Sequence, residues 1–338
     1  MKRIKNVLIF FLAMVMLGAC RDKKSEKKEE ENIQQENTFV NPLKTEGAQC
    51  WANYYDGWYY YMQEAVDRLE LWRTRDITDL EHAEHKVIWI PKDPSNAHHL
   101  WGPEIHPIAG KWYVYYAASD DNMDNHQLFV LENSSADPFE GEFELKGRIS
   151  TDKNNNWAIH PNVFEHRGEW YYIWAEKVGV GRQISNLYIA RMKNGYTLDS
   201  VQVLLTTPDY DWERHGFWVN EGPAVIQKDG KVFMTYSASD TGVHYCMGMM
   251  TADADADLLD PLSWKKERYP VLTSSEKAGI YGPGHNSFTK DEAGDDIMVY
   301  HARTETEIVG NPLYNPNRHA MLMKIRWQDG RPVFGFDE

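Results

Sequence analysis

Residues 47–62 read GAQCWANYYDGWYYYM. The second half alternates around Asp56-Gly57, a pair that tolerates the positive φ angles of a two-residue hairpin turn, and it is loaded with aromatic residues that favour strands. The stretch therefore predicts a β-hairpin. It also repeats. WGPEIHPIAGKWYVYYAAS from Trp101 and WAIHPNVFEHRGEWYYIWAE from Trp157 follow the same plan. So do VNEGPAVIQKDGKVFMTYSAS from Val219 and GPGHNSFTKDEAGDDIMVYHAR from Gly282. Each has an entry marked by Gly or Pro with a polar residue, runs into a short strand, turns at a Gly and returns as an aromatic or β-branched strand. Aligning the polar residues pairs Gln49, Glu104, His160, Glu221 and His285, separated by 55, 56, 61 and 64 residues.

A period of this length with room for about four strands is that of a β-propeller blade, and five units give five blades. Further strands such as HQLFVLENSS and NLYIARMKN follow the hairpins, and no long helical period intervenes. A β-sandwich also has many short strands, but it does not require five equivalent positions at near-regular spacing. The expected fold is an all-β, five-bladed β-propeller over residues 41–338. It closes when the segment near Phe39 to Leu43 joins the last sheet. In that geometry the five polar residues face one axial funnel.

The ends and the composition bound the rest. Lys2, Arg3 and Lys5 precede an apolar run, Val7 to Leu17, that is short for a membrane span. Leu17-Gly18-Ala19-Cys20 then places a cysteine directly after small residues, as in a bacterial lipoprotein signal with Cys20 lipidated. Residues 21–40 are almost wholly polar and charged and read as a solvated tether. An exported, membrane-anchored protein is expected, on the periplasmic face or the cell surface. The formal net charge of -15 argues against a nucleic-acid partner. The 13 Trp, 19 Tyr and 12 Phe suit both a core and sugar-stacking surfaces. After Cys20 only Cys50 and Cys246 remain, too few for a disulfide framework and without zinc spacing.

A funnel with carboxylates and aromatics suits glycoside hydrolysis, which commonly uses one carboxyl as proton donor and a second as base or nucleophile. Glu221, held in Asn220-Glu221-Gly222-Pro223, is the candidate acid. Glu104 is open to chemistry or to pinning backbone. His160 is open to tuning an acid, relaying a proton, binding substrate or filling the core. His285, beside Gly284, can offer a nitrogen to a metal or a water. Arg303 can clamp a sugar hydroxyl or form a surface ion pair, and Trp101 and Trp157 can line subsites or the core.

Over these residues the chain resembles glycoside hydrolase family 43, and within it the exo-acting α-L-arabinofuranosidases that release arabinose from α-1,5-arabinan. The similarity lies in LWGPEIHPIAGKWYVYYAAS, LFVLENSSADPFEG, YDWERHGFWVNEGPAV, YCMGMMTADADADLLDP, YGPGHNSF and YHARTETEIVGNPLYNPNRHA. The resemblance implies a five-bladed propeller, inversion of configuration and an arabinan-type saccharide as partner. It implies Glu221 as acid, Arg303 as a contact to the terminal sugar, and His285 as the axial histidine beside a calcium or sodium ion; no other cofactor is required. Two positions depart from the family pattern. Its base, the Asp of Ala-Asp-Pro-Trp, is Gln49 in Ala48-Gln49-Cys50-Trp51, and its acid-tuning Asp is His160. Two readings follow: a hydrolase with altered machinery, or a sugar-binding lipoprotein that has lost the chemistry. A purely structural scaffold fits poorly with the retained acid motif.

Overall fold

The computed structural model describes residues 39–150, 156–178 and 184–336. Cys20 and the signal-like and tether segments up to residue 38 lie outside them. Every named element among the described residues is a strand or a short 3-10 turn, as the missing helical period predicts.

The strands form five consecutive antiparallel meanders. The first holds β1 (Trp51–Tyr55), β2 (Trp58–Met62), β3 (Leu69–Thr74) and β4 (Glu84–Trp89). The second holds β5 (His98–Ile108), β6 (Lys111–Ser119), β7 (Gln127–Asn133) and β8 (Glu144–Arg148). The third runs through β9 (Ala158–His166), β10 (Glu169–Val178) and β11 (Ile184–Asn194), with the short β12 (Thr197–Leu198) and β13 (Val203–Thr206) both on β11. The fourth is β14 (Trp218–Lys228), β15 (Lys231–Ala238), β16 (Cys246–Asp253) and β17 (Lys265–Lys266). It meets the third where β14 pairs in parallel with β11 at Ile184 and Ser185. The fifth is β18 (Tyr281–Lys290), β19 (Asp296–Arg303) and β20 (His319–Lys324), and a hairpin of β21 (Arg326–Gln328) and β22 (Arg331–Val333) follows.

The turn at the head of the first hairpin is the expected one. Tyr55 pairs with Trp58, and Asp56 and Gly57 both have positive φ. Ala109-Gly110, Arg167-Gly168 and Asp229-Gly230 repeat it, so four of the five inner hairpins share the twist-matched two-residue turn.

The first strands of the meanders touch in a cycle: β1 with β5, β5 with β9, β9 with β14, β14 with β18, and β18 with β1. Apolar layers lie between sheets. Trp51, Met62, Leu69, Trp112 and Leu131 fill the space between the first and second, and Phe233, Met247, Met298 and Met321 that between the fourth and fifth. The chain's start fastens its end. Leu43 N–H donates to Ala320 O (2.8 Å), and the Asn41 side chain exchanges hydrogen bonds with Leu322 (2.9 and 2.8 Å). The closing segment is thus residues 41–44, held to β20 by one bridge at Lys44 rather than by a full strand. Cys50 and Cys246 are buried free thiols.

Candidate active site

One local device builds the site five times. In β5, β9, β14 and β18 an extra residue interrupts pairing with the next strand. The interrupted spans are Trp101 to Glu104, Ile159 to Asn162, Glu221 to Ala224 and Gly284 to Ser287. In the first sheet the same step lies just before β1, where Glu64 N–H donates to Ala48 O (3.0 Å) and Trp51 pairs with Met62. At each bulge one residue takes positive φ: Gln49 (51°), Gly102 (52°), His160 (52°), Gly222 (53°) and His285 (47°). A bulge re-aims its residue out of the ladder, here towards the centre. A Cβ on Gly102 would lie 2.9 Å from the His160 ring, and one on Gly222 would lie 3.0 Å from His285 Nδ1.

The ring is therefore Gln49, Gly102, His160, Gly222 and His285. The sequence alignment had paired Glu104 and Glu221 with these positions. It is displaced by two residues in the second unit and by one in the fourth, because it matched polar residues with polar residues. The Gly102-Pro103, His160-Pro161 and Gly222-Pro223 dipeptides carry the correct register. Glu221 stands one residue before the ring, at the level of Ala48, Trp101, Ile159 and Gly284. Glu104 stands two residues beyond it.

Gln49 is buried, and its side-chain oxygen is doubly engaged. Its Oε1 accepts from Gly102 N–H (2.7 Å), and its own N–H donates to His301 Nδ1 (3.2 Å). Because a backbone N–H can only donate, that side-chain atom is the oxygen, and His160 Nε2, 3.1 Å away, must carry a proton and donate to it. Burial holds the His160 imidazole well below its ordinary range, and neighbouring His285 adds to this. His160 is thus neutral with a lone pair on Nδ1, which lacks a partner and lies 3.7 Å from Glu221 Oε2.

The Glu221 side chain is 13% exposed. Burial raises its carboxyl to about 7, against the opposing pull of a hydrogen bond from Tyr245 Oη (2.8 Å) and the charges of Lys177 and Arg318. Tyr245 fits because Gly284 has no side chain: a Cβ there would meet the tyrosine ring at 2.4 Å. The protonated carboxyl faces the free lone pair of His160, an arrangement suited to holding and delivering a proton near neutral pH.

A cavity of about 490 Å³ opens beside the ring, lined among others by Ala48, Glu64, Trp101, Tyr314 and Arg318. Trp101 stacks on His126 with ring centroids 4.1 Å apart. Trp157 is in the core instead, its indole N–H bonded to Met123 O (2.7 Å) and its face covered by Lys177. Glu104 is buried, 2.9 Å from His106 and within 3.1 Å of Asn162 Nδ2. Burial pushes its carboxyl well up and the His106 imidazole down to about 3. It pins backbone and does not line the cavity.

Arg303 also departs from its expected place. It is 1% exposed, and its guanidinium donates to Thr241 O, Asn315 Oδ1, Asn317 O and Pro312 O. Those bonds lock the 304–318 loop and leave no donor for a sugar. The arginine at the cavity is Arg318, 3% exposed, paired with Glu64 and with Nε and Nη1 buried without partners. It lies in Asn315-Pro316-Asn317-Arg318, inside a stretch already notable in the sequence. Tyr245 opens the YCMGMMTADADADLLDP stretch but was not singled out there, and Lys177 and Glu64 lay in no quoted stretch.

For a cation at His285 the donors fit poorly. Burial keeps its imidazole neutral, the form a metal can ligate, but its closest ring neighbour is the neutral His160, centroids 4.5 Å apart, which brings no anionic oxygen. Among the described residues no three His, Cys, Asp or Glu side chains gather as a metal site. Calcium prefers six to eight oxygens.

The model of glycosyl hydrolases family 43 matches residues 39–332. The chain belongs to glycosyl hydrolases family 43. An extracellular exo-α-(1→5)-L-arabinofuranosidase of Streptomyces chartreusis is 43% identical to this family-43 chain over 280 residues, covering 81% of the chain and 85% of the relative. One of the same description from Streptomyces avermitilis is 42% identical over 306 residues, covering 88% of the chain and 63% of the relative, so the chain spans somewhat under two thirds of that protein. The crystal structure of α-L-arabinofuranosidase from Lactobacillus brevis superposes with a TM-score of 0.84 at 42% identity, covering 88% of this chain and 96% of that one.

Proposed function

We propose that this protein is an exported glycoside hydrolase that removes terminal arabinofuranosyl residues from arabinan-type saccharides, with Glu221 as general acid. The observation that carries the reading is the setting of Glu221, whose carboxyl is raised to about 7 by burial and faces the acceptor nitrogen of His160 at 3.7 Å. In the family pattern an Asp at the His160 position raises the acid's pKa by charge. Here burial and a neutral acceptor favour the same protonated form by other means. Glu221 donates its proton to the departing glycosidic oxygen while water adds to the anomeric carbon from the opposite side. Arg318 offers its free N–H groups to sugar oxygens, and Trp101 offers an aromatic face.

The names of the two Streptomyces relatives favour an α-1,5-linked, terminal substrate. The cycle of first strands, with five meanders around it, favours a five-bladed propeller whose axis carries the ring. The Leu17-Gly18-Ala19-Cys20 sequence favours lipid anchoring at Cys20.

A second reading, capture of sugar without chemistry, is favoured by Gln49, a neutral amide where the family's base is expected. Incubation with α-1,5-arabino-oligosaccharides separates the two. The hydrolase releases arabinose, and Glu221→Gln abolishes the release. A capture protein binds the oligosaccharide and releases nothing above the variant's background.

A further inference from the structure

Building on the hydrolase reading, we propose that Glu64 takes over the work of the missing base and accepts the proton of the attacking water. The fold carries the argument. Ala48 and Glu64 are paired across the first-sheet bulge as Glu221 and Ser237 are across the fourth, and as Trp101 with Ala117, Ile159 with Ala175, and Gly284 with His301 are across the others. The residue opposite the acid's level is thus Glu64, Ala117, Ala175, Ser237 or His301 in turn. Glu64 brings the sole carboxylate of that set.

It lines the cavity, on a sheet apart from that of the acid. The first sheet does not adjoin the fourth in the cycle of inner strands: β1 touches β5 and β18, whereas β14 touches β9 and β18. Glu64 lines the cavity, whereas Glu221 stands outside its lining on a sheet separated from the first by at least one other, and inversion needs two carboxyls set apart rather than side by side. Arg318 lies between their influences. It is hydrogen-bonded to Glu64 through Nη2, and its charge also acts on Glu221. Its Nε and Nη1 are buried without partners, so the guanidinium is held at this wall through Nη2 alone.

The other acidic groups on the cavity wall lie off the bulge: Glu70 pairs with the exposed Arg68 (2.7 Å), and Glu46 and Asp67 are exposed. Gln49, one residue from Ala48, is closed to the role because its oxygen already accepts two hydrogen bonds.

The proton balance is that of inverting hydrolysis. A water oxygen bonds to the anomeric carbon and loses one proton to Glu64, the bond to the leaving oxygen breaks, and that oxygen takes the proton of Glu221. Solvent then returns Glu64 to carboxylate and Glu221 to acid.

The test uses an aryl α-L-arabinofuranoside. Wild type is first assayed on α-1,5-arabino-oligosaccharides, and no release above the Glu221→Gln background overturns the hydrolase reading and this proposal with it. In an active enzyme, Glu64→Gln is expected to lower kcat by about 10²–10⁴-fold with KM changed only a few-fold. The acidic limb of the pH profile should vanish, and added azide should restore turnover as a glycosyl azide of inverted configuration. Azide should not restore Glu221→Gln. Glu64→Asp keeps a charge for Arg318, and is expected to keep the acidic limb at reduced kcat. Wild-type kcat in Glu64→Gln with the acidic limb intact overturns the proposal and leaves the hydrolase reading standing. Loss of kcat in Glu64→Gln without azide rescue, or in Glu64→Asp with the limb gone, also overturns it and marks Glu64 as structural.

Discussion

The first-sheet and fourth-sheet corners of the ring are built on one bulge, yet they hold different chemical groups. At the fourth sheet, Glu221 is a buried carboxyl with a single hydrogen bond from Tyr245 and a neutral acceptor close by, and its proton is free to leave near pH 7. At the first sheet, Gln49 is more deeply buried, and its oxygen is saturated by Gly102 and His160. The contrast teaches that the same bulge can serve shape at one ring position and set a titratable group beside another. Gln49 fixes the His160 tautomer, and through it the lone pair that faces Glu221.

Changes at the two corners should therefore differ in kind. The largest effect is expected from Glu221→Gln, a fall in kcat/KM of about 10⁴-fold or more on arabino-oligosaccharides, where a poor leaving group needs the acid. Arg303→Met tests the loop lock behind both corners. It strips four buried acceptors of a charged donor and should cost on the order of 3–5 kcal/mol, read as a lowered denaturation midpoint. Gln49→Asp alone should raise activity less than about tenfold, since an added carboxylate also favours protonation of His160 and disturbs the acid. A much larger gain would mean that base work was missing altogether. Tyr245→Phe should move the alkaline limb of kcat/KM upward, because the lost hydrogen bond favoured the ionised carboxylate. The smallest effect is expected from Glu104→Gln, which keeps a group to bond Asn162 and His106 outside the cavity; kcat should stay within a few-fold of wild type.

The fold was legible because its signals are local and repeated. Asp56-Gly57 and its counterparts announce hairpins, and five similar units at near-constant spacing announce five meanders. The placing of Gln49, His160 and His285 on one ring was legible for the same reason. The register of Glu104 and Glu221 was not, since a bulge adds a residue without changing composition, and an alignment of polar residues slides to absorb it. Arg303 and Arg318 show a second limit. Both lie near β19 and β20 in a quoted motif, but which one is consumed by carbonyls depends on how residues 304–318 fold back. Glu64 was silent because its significance comes from pairing with Ala48 across a bulge.

The account's central claim is that chemistry persists at Glu221 without the usual Asp partners, and the pH dependence of arabinose release tests it most directly. Release should be well above that of Glu221→Gln and should fall as pH rises through about 7, as the acid loses its proton. Release no faster than that variant's at any pH, with oligosaccharide still bound, would contradict it.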